Sequence, residues 1–237
     1  MKPYYEHAGI TIYHGDCREI LADFDSVWPF LLPIDVVITD PPYGILNLAG
    51  EGSTPCIRKS PRQIGSGKLK DRILNRTDVT WDIAPSRADF DFLRGLSLTQ
   101  IIWGGNYFPL PPTRGILVWD KEQPWPNFSQ VEIAWTNLDR PAALFRKATT
   151  LGTPDKVHPT QKPITLMKWC AAMTEGTVLD PNMGSGTTLL AVKDLGRSAV
   201  GIEIDERYCE IAVKRLSQEV LQFDSPIPSE QVAESEG

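Results

Sequence analysis

The chain is defined first by what it has little of. Across 237 residues no apolar run approaches the eighteen or so residues that would cross a bilayer. Residues 1–9, Met-Lys-Pro-Tyr-Tyr-Glu-His-Ala-Gly, lack the apolar stretch of a signal peptide, so a cytoplasmic protein is expected. The four cysteines, Cys17, Cys56, Cys170 and Cys209, are scattered and show no paired metal-ligand spacing. They read as free thiols of a reducing compartment, Cys17 and Cys209 packing as small apolar groups, and no metal site is expected. Excess positive charge is also missing. The net charge of −6 argues on its face against a nucleic-acid partner, but its distribution argues differently. Residues 219–237 carry five acids and no base, and with Ser225, Pro226, Pro228 and Ser229 they read as a disordered tail. Residues 56–76 carry Arg58, Lys59, Arg62, Lys68, Lys70, Arg72 and Arg76 against Asp71 alone. With Gly65, Ser66 and Gly67 among them, they read as a mobile basic loop suited to phosphates, or as a solvated charge run.

What is present is an alternation of apolar stretches and helical patterns. Strands are expected near 10–13, 34–39, 99–103, 115–119, 131–135, 177–180 and 199–204. Helices are expected near 17–24, 86–98, 163–173, 186–196 and 206–219. Such alternation implies an α/β fold, a doubly wound and mostly parallel seven-stranded sheet with helices on both faces. The stretches at 115–119 and 131–135 are close enough to form a hairpin at one edge. Residues 1–218 read as one domain, interrupted by an insertion at about 45–80.

Two segments carry chemistry. The first is Asp40-Pro41-Pro42-Tyr43, directly after the apolar run Ile34 to Thr39. It falls at a strand's carboxyl end, where open α/β sheets hold ligands. The prolines stiffen the loop and offer no N–H, so nearby carbonyls remain free as acceptors. Asp40 adds an ionised acceptor and Tyr43 a flat face. Paired acceptors beside a stacking surface suit an exocyclic amino group on a planar base. A Pro-rich turn after a core strand is the plainer alternative.

The second is Asp180-Pro181-Asn182-Met183-Gly184-Ser185-Gly186-Thr187-Thr188, between a short strand and a helix that Gly196 would stop. A further strand ends on Glu203, the position at which a carboxylate meets ribose hydroxyls in nucleoside-binding βαβ units. A dinucleotide turn would place a third glycine where Leu189 stands, and a P-loop would place lysine after Gly186, where Thr187 stands. The turn is therefore shaped for a nucleoside without phosphates, which describes S-adenosylmethionine and disfavours NAD.

Together with His158-Pro159-Thr160-Gln161-Lys162-Pro163 and Gly201-Ile202-Glu203, these segments resemble the amino-group DNA methyltransferases. The catalytic tetrapeptide precedes the cofactor turn, as in the circularly permuted beta group of that family. The resemblance runs from about Ile10 to Leu216. It implies a Rossmann-like methyltransferase fold, S-adenosylmethionine as cofactor and double-stranded DNA as partner. Asp before Pro-Pro points to adenine N6; cytosine N4, RNA, and a DNA-binding protein without turnover are the alternatives. By resemblance Asp40, Pro41, Pro42 and Tyr43 are catalytic. Asp16, Cys17, Thr160, Lys162, Asp180, Pro181, Gly184, Ser185, Gly186, Thr187 and Glu203 bind the cofactor, Asp16 also fitting as a helix cap. Arg58, Lys59, Arg62, Lys68, Lys70 and Arg72 contact DNA. A homodimer and a cognate restriction enzyme are compatible with this reading. The chain departs from the family at Asn182, where phenylalanine is usual, leaving Met183 or Trp169 to supply an apolar wall. Trp103-Gly104-Gly105-Asn106-Tyr107 ends another strand and either lines the cleft or packs as a tight turn.

Overall fold

A computed structural model describes residues 2–22, 34–44, 84–123, 129–148 and 161–218. The basic segment 56–76, the tail 219–237, His158 and Thr160 lie outside the described residues.

The strands are β1 (Tyr5–His7), β2 (Ile10–His14), β3 (Val36–Thr39), β4 (Thr99–Trp103), β5 (Gly115–Asp120), β6 (Val131–Thr136), β7 (Ala143–Arg146), β8 (Val178–Asp180) and β9 (Ala199–Glu203). The helices are α1 (Cys17–Ala22), α2 (Arg87–Leu96), α3 (Ile164–Ala171), α4 (Thr187–Lys193) and α5 (Glu206–Ser217). All seven expected strands are present. Two short ones, β1 and β7, extend the sheet to nine strands in the order β1-β2-β9-β8-β3-β4-β6-β5-β7. β1 carries no apolar run and that of β7 is only three residues long; each is held by pairing with a neighbour, β1 antiparallel to β2 and β7 parallel to β5. The expected hairpin forms between β5 and β6, but β7 covers its outer side, so it lies one strand inside the edge.

The central strands β2, β9, β8, β3 and β4 are parallel throughout. Side chains alternate between two buried layers, as the two-residue strand period requires. Val36, Ile38 and Val178 pack on one face with residues of α3, α4 and α5. Val37 and Leu179 pack on the other with Ile20, Leu21, Phe90 and Leu93 of α1 and α2. The helices start where local chemistry lets them. Ser86 accepts from the Asp89 N–H while Asp89 accepts from the Ser86 N–H, a reciprocal cap for α2. Past the end of α4 the left-handed Gly196 (φ +68°) turns the chain toward β9.

From β3 the chain crosses to β4 on one side, whereas from β8 it crosses to β9 on the other. The carboxyl ends of β3 and β8 therefore flank the point where winding reverses, the place where doubly wound sheets open a ligand crevice. No helix among the described residues is long and apolar enough to cross a membrane.

Close packing behind this crevice is tested at Gly201 in β9. A Cβ there would stand 2.5 Å from Met183 Sδ and 2.7 Å from Leu189 Cδ2. Gly201→Ala is expected to lower stability by about 1–3 kcal/mol through overpacking, read from the denaturant midpoint of unfolding.

Candidate active site

The loop after β3 begins at Asp40, and among the described residues each of its two carboxylate oxygens accepts one bond. Oδ1 accepts from the Tyr43 hydroxyl at 2.6 Å and Oδ2 from Lys162 Nζ at 2.6 Å. A carboxylate has about four lone-pair positions, so these two bonds use half of its accepting capacity. Pro41 is buried and Pro42 half-buried, which seats the loop firmly on the sheet. The Tyr43 ring stacks on Tyr107 with centroids 4.9 Å apart and planes 22° apart, and meets Phe108 edge-on at 5.9 Å. Gly104 (φ +73°) makes this possible, since a Cβ there would lie 2.2 Å from Tyr43 Cε1. The turn Gly104–Tyr107 thus both packs tightly and borders the cleft, with Tyr107 half exposed. Burial, and after it the Asp40 charge, pushes the Tyr43 hydroxyl well above its ordinary range, so it stays protonated and donates.

Lys162, expected beside the cofactor, lies against the loop after β3. It is 6 % exposed and lies between two carboxylates, Asp40 Oδ2 at 2.6 Å and Glu132 Oε2 at 2.9 Å. Tyr43 and Trp103 rings cover it, with centroids at 5.8 Å and 5.3 Å. Burial alone would depress its pKa; the surrounding Asp40, Tyr43 and Glu132 outweigh that and raise it well above the ordinary value. The neighbouring Gln161 faces the other loop, its Oε1 3.5 Å from Ser185 Oγ.

The loop after β8 is built from hydrogen bonds that its sequence made hard to foresee. Asp180 Oδ1 accepts from the Asn182 N–H at 3.1 Å, and Asn182 Oδ1 accepts from Thr39 Oγ1 at 3.4 Å, tying the two strand ends together. Pro181 is buried. Gly184 (φ +52°) and Gly186 (φ +75°) adopt left-handed conformations that glycine tolerates best. Ser185 and Thr187 are buried and bonded to α5. Arg215 of α5 donates from Nη1 to Ser185 O at 2.5 Å, Ser185 Oγ at 3.1 Å and Thr187 Oγ1 at 3.1 Å. Their hydroxyls therefore hold the turn. Met183 is buried against Leu189 and Gly201, and Trp169 packs on Phe145, so core packing occupies both.

Glu203, at the end of β9, accepts from the Gly184 N–H at 3.0 Å through Oε2 and from the Asp205 N–H at 2.8 Å through Oε1. Burial raises its pKa despite these bonds. The ideal Cβ position on Gly184 meets nothing within 4 Å, leaving open space beside this carboxylate. Next along the sheet, the Gly15 N–H donates to Glu203 O at 2.9 Å and brings Asp16 to the same rim. Asp16 caps α1 by accepting from the Arg18 N–H at 2.9 Å and pairs with the Arg18 guanidinium; that bonding holds its carboxyl below the usual range. Cys17 is half-buried, and burial pushes its thiol up to about 11. Four consecutive parallel strand ends thus present Asp40 and Tyr43, the glycine turn, Glu203 and Asp16 to one crevice. Thr160 and the basic residues Arg58, Lys59, Arg62, Lys68, Lys70 and Arg72 lie outside the described residues. Sequence reading missed Glu132, near the start of β6, and Arg215, near the end of α5, neither of which lies in a motif.

This is the fold of the α/β methyltransferases. Residues 117–214 match the model of the N6/N4 DNA methylase family. The Type II methyltransferase M.ScaI of Streptomyces caespitosus is 24% identical over 92% of this chain and 84% of its own length. M2.MboI of Moraxella bovis is 24% identical over 91% of each chain. A 73-residue segment is 48% identical to M.HpaI of Haemophilus parainfluenzae, covering 30% of this chain and 23% of that protein. Among solved structures, the M1.HpyAVI–SAM complex superposes with a TM-score of 0.52 at 24% identity, covering 88% of this chain and all of that one. PvuII DNA methyltransferase, cytosine-N4-specific, does so at 0.56 and 16% identity, over 92% and 90%. Over most of its length the chain is thus similar to Type II DNA methyltransferases.

Asp180 provides a test of the site's electrostatics. It is 2 % exposed, and burial lifts its pKa to about 7 against the bonds from Thr188, Asn182 and Thr39 that lower it. Because the folded pKa lies above the unfolded value, the folded state holds this proton more tightly. The resulting stabilisation is full below about pH 4. It is lost as pH rises through about 7. Asp180→Asn, which cannot ionise, is therefore expected to gain stability relative to wild type between about pH 5 and about pH 8, by a few kcal/mol, in parallel denaturant titrations.

Proposed function

We propose that the protein transfers a methyl group from S-adenosylmethionine to the N6 amino group of adenine in double-stranded DNA. The observation that carries this reading is the Asp40 carboxylate at the carboxyl end of β3, oriented by Tyr43 and Lys162 with one bond to each oxygen among the described residues, one strand away from the glycine turn after β8. The donor set fits the cofactor: an open glycine position beside a buried carboxylate, flanked by Asp16 on the next strand end. Glu203 would hold the ribose and Asp16 the adenine amino group, while Gly184 and Gly186 would let the backbone approach closely. When bound, S-adenosylmethionine supplies an already activated methyl group.

The protein's own part is to prepare the acceptor. An adenine amino nitrogen is a weak nucleophile because its lone pair is delocalised into the ring. Asp40 and the Pro41 carbonyl accept its two hydrogens, drawing it toward tetrahedral geometry and aiming the lone pair across the crevice. Positive charge develops on that nitrogen as it gains a substituent, and the fixed Asp40 carboxylate stabilises it. A base within a duplex cannot reach this position, so it is flipped out and stacks on the Tyr43–Tyr107 pair. The basic residues of 56–76 are proposed to contact phosphates, on their charge alone. Cytosine N4 is the second reading, favoured by the likeness to the PvuII enzyme; Asp in place of Ser or Asn before Pro-Pro favours adenine.

The test is incubation of unmethylated genomic DNA with the protein and cofactor, followed by mass spectrometry of the nucleosides. N6-methyladenine is the expected product, N4-methylcytosine would move the reading to the alternative, and neither would refute it. Asp40→Ala is expected to lose about a hundredfold or more in methylation while binding the cofactor within a few fold of wild type. Glu203→Ala is expected to weaken cofactor binding by about 1.5–3 kcal/mol in calorimetry; unchanged affinity would mean the ribose is held elsewhere.

A further inference from the structure

Glu132 has no part in the motifs above, yet it is one of the two anions flanking the buried Lys162. Residues from four segments form an alternating row of charges: Lys121, Glu132, Lys162 and Asp40. Lys121 pairs with Glu132, Glu132 with Lys162 at 2.9 Å, and Lys162 with Asp40 at 2.6 Å. Exposure is small throughout, at 16 % for Lys121, 23 % for Glu132, 6 % for Lys162 and 21 % for Asp40. Strand β6 supplies Glu132 opposite Trp119 of β5, and the segment before α3 supplies Lys162.

The row has an electrostatic consequence. An ammonium paired with Asp40 alone would cancel most of the carboxylate's field for any third group, and in a water-poor site that cancellation is strong. The negative potential of a second carboxylate beside the same ammonium offsets part of the ammonium's positive potential at that third group. Asp40 is then oriented by Lys162 without being neutralised by it. Lys121 in turn offsets Glu132, with burial pushing the Glu132 carboxyl up and Lys162 and Lys121 together holding it below the ordinary range, so it stays ionised.

We infer that Glu132 is a positioning residue for methyl transfer, the counter-anion that lets Lys162 orient Asp40 while leaving Asp40's negative charge available to the target amino group. This rests on the reading of Asp40 given under the proposed function.

The experiment compares wild type, Glu132→Gln and the double variant Glu132→Gln/Lys162→Gln, with thermal unfolding to establish folding and steady-state kinetics with S-adenosylmethionine and unmethylated duplex DNA. Glu132→Gln keeps the shape and an acceptor for Lys162 but removes the charge. Its kcat is expected to fall about tenfold or more, with KM for the cofactor and Kd for DNA within about threefold of wild type. Removing the lysine as well frees Asp40 again, so the double variant is expected to recover at least about fivefold in kcat over the single one. A structural role predicts the opposite, a second loss added to the first. The inference is overturned by a single variant with kcat within about threefold of wild type, or by a double variant no faster than the single. If Glu132→Gln does not fold, the double variant decides: folded and active supports the inference, inactive or unfolded overturns it. A wild-type protein that transfers no methyl group to DNA refutes the proposed function and the inference with it; an active wild type with the wrong variant pattern refutes the inference alone.

Discussion

The parallel pairing of β3 with β8 is the constraint on which the site depends. Only Val36↔Val178 and Val37↔Leu179 are in register, yet the pairing brings together strands far apart in the chain. Its start is clamped: Asp35 Oδ2 accepts from the Thr177 N–H at 2.7 Å, and Thr177 O accepts from the Val36 N–H at 3.1 Å. Gly176 lets Asp35 come close, since a Cβ there would lie 2.1 Å from its Oδ2. Both strands are buried on both faces, so a slip of one residue would exchange the two packed layers. Register fixed in this way sets the loop that begins at Asp40 beside the turn that follows Asp180.

Two cations from outside these strands then hold the loops in place. Arg215 reaches from α5 to the back of the glycine turn, and Lys162 reaches from the segment before α3 to the carboxylate of Asp40. Lys162 is buried and Arg215 half-buried, and a buried charge is stable only with partners and hydrogen bonds in good geometry. Arg215 finds a carbonyl and two hydroxyls; Lys162 finds two carboxylates and a phenol hydroxyl. Gln161 and Lys162 are adjacent, the first beside Ser185 and the second on Asp40, so one dipeptide touches both loops. A stiff tetrapeptide and a turn held by side chains are suited to presenting fixed dipoles and charges, which is how an enzyme stabilises developing charge without rearranging itself.

Much of this was legible in the residues alone because it rests on local rules. Apolar runs of strand length, helix starts and stops, and the order strand–turn–helix–strand ending on Glu203 all report on near neighbours in the chain. The strands β1 and β7 were not legible, since three and four residues of mixed exposure become strands only when a partner is already in place. Lys162 could be recognised as a site residue but not assigned its partner, because a motif names a residue and not the carboxylate opposite it. Ser185 and Thr187 were in the right turn, but the direction of their hydroxyls depends on Arg215, thirty positions from Ser185. Glu132 carried no sign of its place: in Val131-Glu132-Ile133-Ala134-Trp135 it reads as the solvent side of an alternating strand. The sequence by itself determined the class of fold, the two chemical loops and the kind of ligand each suits. Only the tertiary structure decided which charges share a buried space, because Coulomb interactions and hydrogen bonds act through distances that chain order does not encode.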